Sequence, residues 1–180
     1  GTGKRFDYFY PIFKYLIQIE KFSIKGISNK SGVYKNNCKD LTQNLFDNYD
    51  KMIKIIKPDI VIVLVSANKN YFIIKNILHN YQCKIFTETP IYGANLNEFK
   101  NDSRIHILEN WIHLPLEILK KKIIESGILG NIVEIINDHR TYSYHGIAQI
   151  RNYENCINFT NVKKSNNEII FYLGNNKLIH

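Results

Sequence analysis

Lys57-Pro58-Asp59-Ile60-Val61-Ile62-Val63-Leu64-Val65-Ser66-Ala67-Asn68 is the stretch on which the fold turns. Pro58-Asp59 punctuates the start of a strand, Ile60 to Val65, that is apolar at every position, as expected when both faces of a sheet are covered. Downstream, Tyr71 to Tyr81 carries Phe72, Ile73, Lys75, Ile77 and Leu78 in a helix-compatible pattern. Lys84-Ile85-Phe86-Thr87 then reads as a strand that runs into Glu88-Thr89-Pro90, where proline ends regular pairing. A short helix, Asn95 to Lys100, leads to a strand from Ile105 to Leu108. Upstream, a strand-like run from Phe22 to Ser28 precedes a helical stretch near Leu41 to Ile56. The alternation predicts an α/β chain, a doubly wound parallel sheet with helices on both faces.

After about Trp111 the texture changes. Pro115 begins a helix, Leu116 to Ser126, stopped by Gly127 and Gly130. A long strand from Asn131 to His139 and a helix near Gly146 to Asn155 follow. Two last strand-like runs, Ile157 to Lys163 and Glu168 to Leu173, are joined by Ser165-Asn166-Asn167 and read as an antiparallel pair. The expectation is one α/β domain over residues 1–112 and the start of an α+β domain, with an open, largely antiparallel sheet, over 113–180. No internal repeat or flexible linker separates them. Gly1 stands with no strand before it and the chain stops just after a hairpin, so both ends read as cut inside a longer protein.

The 180 residues are 44% hydrophobic and 13% aromatic, enough apolar side chain for a core and too much for a disordered chain. The longest apolar runs are too short for a bilayer, and no signal segment opens the chain. Three cysteines, Cys38, Cys83 and Cys156, form neither a CxxC pair nor an even set, and read as reduced thiols of a cytoplasmic protein. The formal charge of +8 comes from 24 Lys+Arg against 16 Asp+Glu. Only 4 of those cations are Arg, and the chain holds 23 Asn, 31 Ile and 3 Ala, a bias of AT-rich coding. Nucleic-acid readers favour clustered Arg with interleaved aromatics. Here the lysines are scattered, and Lys120-Lys121-Lys122 fits the solvated end of a helix. Neither a nucleic-acid nor a membrane partner is expected.

Gly1-Thr2-Gly3-Lys4-Arg5-Phe6 reads as G-x-G-x-x-F ahead of an amphipathic helix (Phe9, Ile12, Phe13, Leu16, Ile17). In a dinucleotide fold such glycines let the backbone approach a pyrophosphate at a helix N-terminus. Taken alone, the pair is equally a flexible glycine start. The next strand ends at Ser28-Asn29-Lys30-Ser31, some two dozen residues on, where an acidic residue would hold the adenosine ribose. Asn29 in that place removes a carboxylate, and Ser28, Lys30 and Ser31 add donors for a 2′-phosphate. That leans toward NADP over NAD; the other reading is an ordinary solvated turn.

Taken as a set, Lys57-Pro58-Asp59 with its strand and Ser66-Ala67-Asn68, then Lys84 to Pro90, then Glu109-Asn110-Trp111-Ile112-His113-Leu114-Pro115 and Ile124 to Ile132, resemble the Gfo/Idh/MocA oxidoreductases. That family includes glucose-fructose oxidoreductase and inositol dehydrogenase. The resemblance implies a Rossmann domain that binds NAD or NADP and an α+β domain whose sheet mediates homo-oligomers and covers a small-molecule substrate, with hydride moving to or from a hydroxyl, carbonyl or imine carbon of a sugar-like or other polar metabolite. By position, it implies that Gly1, Gly3, Lys4 and Arg5 take the pyrophosphate. Asn29 matches the ribose-selecting position. Ser66 and Asn68 match the loop lining the cofactor, and Glu88 and Pro90 the Glu-x-Pro motif. The family's lysine in that motif is Thr89 here, which offers a hydroxyl instead of a cation. A homologue that binds nucleotide without turnover is the alternative this departure leaves open.

His145, in Tyr142-Ser143-Tyr144-His145-Gly146-Ile147-Ala148-Gln149-Ile150-Arg151, matches the family's histidine at a helix head and is the expected acid/base. The family's aspartate three residues on is Ala148. Tyr142, Tyr144 and Arg151 are expected to hold substrate groups. Without the resemblance, His145 reads as a surface or capping histidine. His106 and His113 lack the partners of a zinc site, so no metal is expected.

Overall fold

A computed structural model describes residues 1–93, 95–130, 134–135, 143–154, 159–164, 169–173 and 178–179. The chain divides into two compact units, Gly1–Leu108 and Glu109–His180.

In the first unit α1 (Lys4–Gln18) leads to β1 (Ile27–Ser28), α2 (Asn36–Lys39), β2 (Leu45–Phe46) and α3 (Tyr49–Ile56). The stretch quoted at the outset forms β3 (Ile60–Val63) and the start of α4 (Ala67–Asn80), followed by β4 (Lys84–Thr87), a 3-10 turn (Leu96–Phe99) and β5 (Ile105–Ile107). β3, β4 and β5 lie side by side in that order, all parallel; β1 and β2 form a separate parallel pair. Parallel neighbours need a crossover, and α4 supplies the one between β3 and β4.

Two apolar clusters hold this unit. Ile53, Val61, Val63, Ile74, Ile77, Cys83 and Ile85 bury the α3 and α4 stripes on one face of the sheet. Phe6, Phe13, Ile27, Cys38 and Leu64 tie α1 to β1 and to the end of β3. Each fully buried isoleucine contributes about 1.5–3 kcal/mol of transfer free energy. Helix ends are fixed by single side chains. The N–H of Lys51 donates to Asn48 Oδ1 at 3.0 Å, capping α3. Arg104 Nη1 donates to the carbonyls of Leu78 and Tyr81 at 3.2 and 2.9 Å and closes the end of α4.

The second unit has a 3-10 turn (Trp111–His113), α5 (Pro115–Glu125), β6 (Glu134–Ile135), α6 (Ser143–Glu154), β7 (Phe159–Lys164), β8 (Ile169–Leu173) and β9 (Leu178–Ile179). Its strands run in the order β6-β9-β8-β7, with β6 and β9 parallel and the other two pairs antiparallel. Lys121 Nζ donates to Asn152 Oδ1 at 3.2 Å and the Tyr153 hydroxyl to Glu117, which join α5 to α6.

Several expectations need correction. The helix expected over 41–56 is the short strand β2 followed by α3 from Tyr49, because Asn44 and Asn48 favour turns and caps over helix interior. The strand expected from Phe22 shrinks to Ile27–Ser28, and the helix at 95–100 is 3-10. β3 is not covered on both faces within the described residues: Val61 and Val63 are buried, while Ile60 is 48% and Ile62 36% exposed. Ile12 of α1 faces solvent. Of the strand expected at 131–139, only Glu134–Ile135 lies among the described residues. Cys156 and the turn at 165–167 lie outside them. No helix of the described residues is long and apolar enough to cross a membrane, and no metal-binding group of His, Cys, Asp or Glu occurs among them.

Candidate functional site

Open α/β sheets bind ligands beyond the carboxyl ends of their strands, and in the first unit the glycine-rich start lies at that edge. A Cβ on Gly1 would run into the Leu64 carbonyl oxygen, so only glycine lets this segment lie against the chain leaving β3. Gly3 is the N-cap of the 15-residue α1 and brings no capping side chain. A Cβ there would meet nothing within 4 Å. Helix dipole, unscreened N-terminus and open space together fit a pyrophosphate. Arg5 Nε lies 3.0 Å from Oε2 of the buried Glu88 and so links α1 to the end of β4. Lys4 is exposed.

The segment after β4 is fastened to the first turns of α4. Asn70, fully buried, donates from Nδ2 to the Pro90 carbonyl at 2.9 Å. The Tyr71 hydroxyl donates to Glu98, and its ring fills the space beside Gly93. These contacts hold Thr89 and Pro90, both partly buried, next to the buried Thr87. Ser66 caps α4 without a side-chain hydrogen bond, and Ser66 and Asn68 face solvent.

Beyond β1, Asn29 builds the turn it sits in: Nδ2 donates to Ser31 Oγ at 2.9 Å and to the Val33 carbonyl at 2.8 Å. Both amide protons are thereby spent, which leaves Oδ1 as an acceptor suited to a ribose hydroxyl. Ser31 Oγ accepts from Asn29 and from the Val33 N–H, keeping its own proton to donate. Lys30 is exposed, and Ser28 is half-buried in the strand. Asp7 in the first turn of α1 reaches Lys35 Nζ at 2.6 Å and Asn37 Nδ2 at 3.0 Å, bringing the 29–37 loop to the start of α1. The hydrogen bonds from Lys35 and Asn37 hold the Asp7 carboxyl below its ordinary range.

In the second unit His145 lies in the first turn of α6. Nδ1 is 2.9 Å from both carboxylate oxygens of Glu109, and the two side chains are 12% and 11% exposed. The Trp111 N–H donates to Glu109 Oε1 at 3.0 Å, and the rings of Tyr144 and Trp111 lie 4.3 and 5.4 Å from the imidazole. Arg151 is exposed on the same helix; Tyr142 lies outside the described residues. Glu109 and Asn70 were not singled out in the sequence. Glu109 stands 36 residues from His145, so no local spacing announces the pair, and a buried asparagine in a helix carries no pattern of its own.

No protein-family model matches the chain. A curated Bacillus subtilis (strain 168) protein, "Putative oxidoreductase YteT", is 25% identical over 144 aligned residues, which cover 72% of this chain and 33% of that protein. Among solved structures, a "putative oxidoreductase" of Thermotoga maritima superposes with a TM-score of 0.69 at 17% identity over 89% of this chain and 64% of its own. A scyllo-inositol dehydrogenase of Lactobacillus casei, with NAD(H) and scyllo-inositol bound, gives a TM-score of 0.64 at 12% identity over 87% of this chain and 60% of its own. The chain thus spans about a third of YteT and about three fifths of the solved chains. At these identities the likeness establishes architecture: this is an α/β chain of the Rossmann type, folded as oxidoreductases and an inositol dehydrogenase are.

Proposed function

We propose that the chain is part of an NAD(P)-dependent oxidoreductase of the Gfo/Idh/MocA family. In this reading it moves a hydride between a nicotinamide and a hydroxyl, carbonyl or imine carbon of a sugar-like or other polar metabolite. The observation that carries the reading is the convergence of Gly1, Gly3 and the Arg5–Glu88 pair at the carboxyl edge of β3 and β4. The inositol dehydrogenase that shares the fold was solved with NAD(H), which supports the same cofactor class.

Each residue then has a defined task. The N-terminus of α1, with Gly1, Gly3, Lys4 and Arg5, takes the pyrophosphate. Asn29 Oδ1 accepts from the adenosine ribose, and Lys30, Ser31 and Ser28 favour a 2′-phosphate, hence NADP. Ser66, Asn68, Glu88 and Pro90 line the nicotinamide side. The bound nicotinamide supplies the hydride chemistry. Thr89 donates or accepts a hydrogen bond at a substrate oxygen, and His145 passes the hydroxyl proton. Tyr142, Tyr144 and Arg151 hold substrate hydroxyl or carboxylate groups. Residues 1–112 form the nucleotide-binding domain and 113–180 part of a substrate and homo-oligomer domain, in a cytoplasmic protein. Thr89 favours a second reading, nucleotide binding without turnover, because a hydroxyl supplies neither the cation nor the acid of a lysine.

Calorimetric titration with NADH and NADPH tests the reading. Binding of either is expected, NADPH more tightly. Lys30→Ala should weaken NADPH roughly tenfold, the worth of one charge-assisted hydrogen bond, and leave NADH unchanged. Absence of binding by both dismisses the proposal. Binding without turnover across polyol, sugar-nucleotide and imine substrates selects the second reading.

A further inference from the structure

A neutral imidazole carries its proton on either ring nitrogen, and a general base must keep its lone pair on the nitrogen that meets the substrate. Glu109 makes that choice for His145. Both of its oxygens lie 2.9 Å from Nδ1. An ionised carboxylate only accepts, so the shared proton belongs on Nδ1 and the lone pair falls on Nε2. The carboxylate is itself held, since the Trp111 N–H donates to Oε1 at 3.0 Å and the 3-10 turn at Trp111–His113 starts beside it. Aromatic rings border the pair: Tyr144 at 4.3 Å and Trp111 at 5.4 Å from the imidazole. Both side chains are about nine-tenths buried.

The helix carrying His145 offers no such partner three residues on, where Ala148 has no polar side-chain atom. The carboxylate arrives instead from the segment that opens the second unit.

We propose that Glu109 is the positioning residue for His145. It fixes the Nδ1–H form of the ring and offsets the positive charge that forms when Nε2 takes a substrate proton. The role rests on the oxidoreductase reading above and extends it to a residue outside α6.

The test uses isotope-labelled histidine in the chain as it stands and long-range proton–nitrogen correlation spectra at a pH where the ring is neutral. The His145 signals are identified by their loss in His145→Gln. The Nδ1–H form is expected in the unaltered chain and in Glu109→Gln, whose amide oxygen still accepts. In Glu109→Ala the ring is expected to move to the Nε2–H form that free imidazole side chains prefer. On any polyol that the unaltered chain oxidises, kcat should fall roughly a hundredfold in Glu109→Gln with KM little changed, because the ring keeps its form and loses its counter-charge. An Nε2–H ring in the unaltered chain, an unchanged ring in Glu109→Ala, or an unchanged kcat in Glu109→Gln overturns the role. If Glu109→Ala does not fold, the unaltered chain and Glu109→Gln decide. Failure of the unaltered chain to bind NADH and NADPH removes the oxidoreductase reading and this role together. Cofactor binding with an unchanged ring in Glu109→Ala removes this role alone.

Discussion

At the scale of single residues, Gly93 has room for nothing beyond hydrogen. A Cβ there would overlap the Tyr71 ring. That ring cannot swing away cheaply, because its hydroxyl donates to Glu98 and its faces and edges meet Phe72 and Phe99. Gly93→Ala should therefore cost about 1–3 kcal/mol by overpacking, read as a lower denaturant midpoint with an unchanged slope. The glycines at 1 and 3 were legible in the sequence because their spacing follows a rule of phosphate-binding turns. Gly93 was not, since its partner is a ring more than twenty residues away. The same division separates Thr89, seen as a departure inside a motif, from Glu109, which acquires meaning only once His145 is beside it.

At the scale of elements, the strands at 60–63 and 84–87 and helix α4 follow directly from apolar runs and proline punctuation. The element boundaries that the pattern misjudged most lie between Phe22 and Tyr49. Elements of two to four residues carry too few positions for a period, and Asn side chains there settle the chain by capping and turning. The end of α4 shows how one side chain can replace a missing helical partner. Arg104 caps two carbonyls of that helix while Nε and Nη2 face Asp102 at 3.0 and 2.7 Å. The hydrogen bonds from Arg104 hold the Asp102 carboxyl below its usual range. A carboxyl lowered on folding adds stability above its unfolded pKa, and that stability disappears as pH falls through the folded value. Arg104→Ala leaves Asp102 with only the backbone N–H of residue 104 as donor, leaves the Leu78 and Tyr81 carbonyls without their guanidinium, and should cost about 1–3 kcal/mol at neutral pH. The difference from the unaltered chain should narrow on acidification; a gap that stays constant down to strongly acidic pH, in parallel urea titrations, would refute the account.

On the scale of the molecule, the first unit has two apolar clusters and the second a mixed sheet with two helices packed on one another. A surplus of cationic residues, 24 Lys+Arg against 16 Asp+Glu, overlies this architecture without defining it. Each cluster of the first unit contains one buried free thiol, Cys38 with Phe6 and Phe13, Cys83 with Ile77 and Ile85. Burial pushes both thiols above their usual pKa, so the reactive thiolate is doubly scarce in the folded chain. In a Cys156→Ser background, two slow alkylation phases are expected, abolished singly by Cys38→Ser and Cys83→Ser; rapid labelling of either under native conditions would contradict its burial. If the phases differ, the cluster around α1 and the cluster beneath β3 and β4 open separately, and the sulfur atoms act as a pair of clocks already installed in the chain, one timing each half of the first unit.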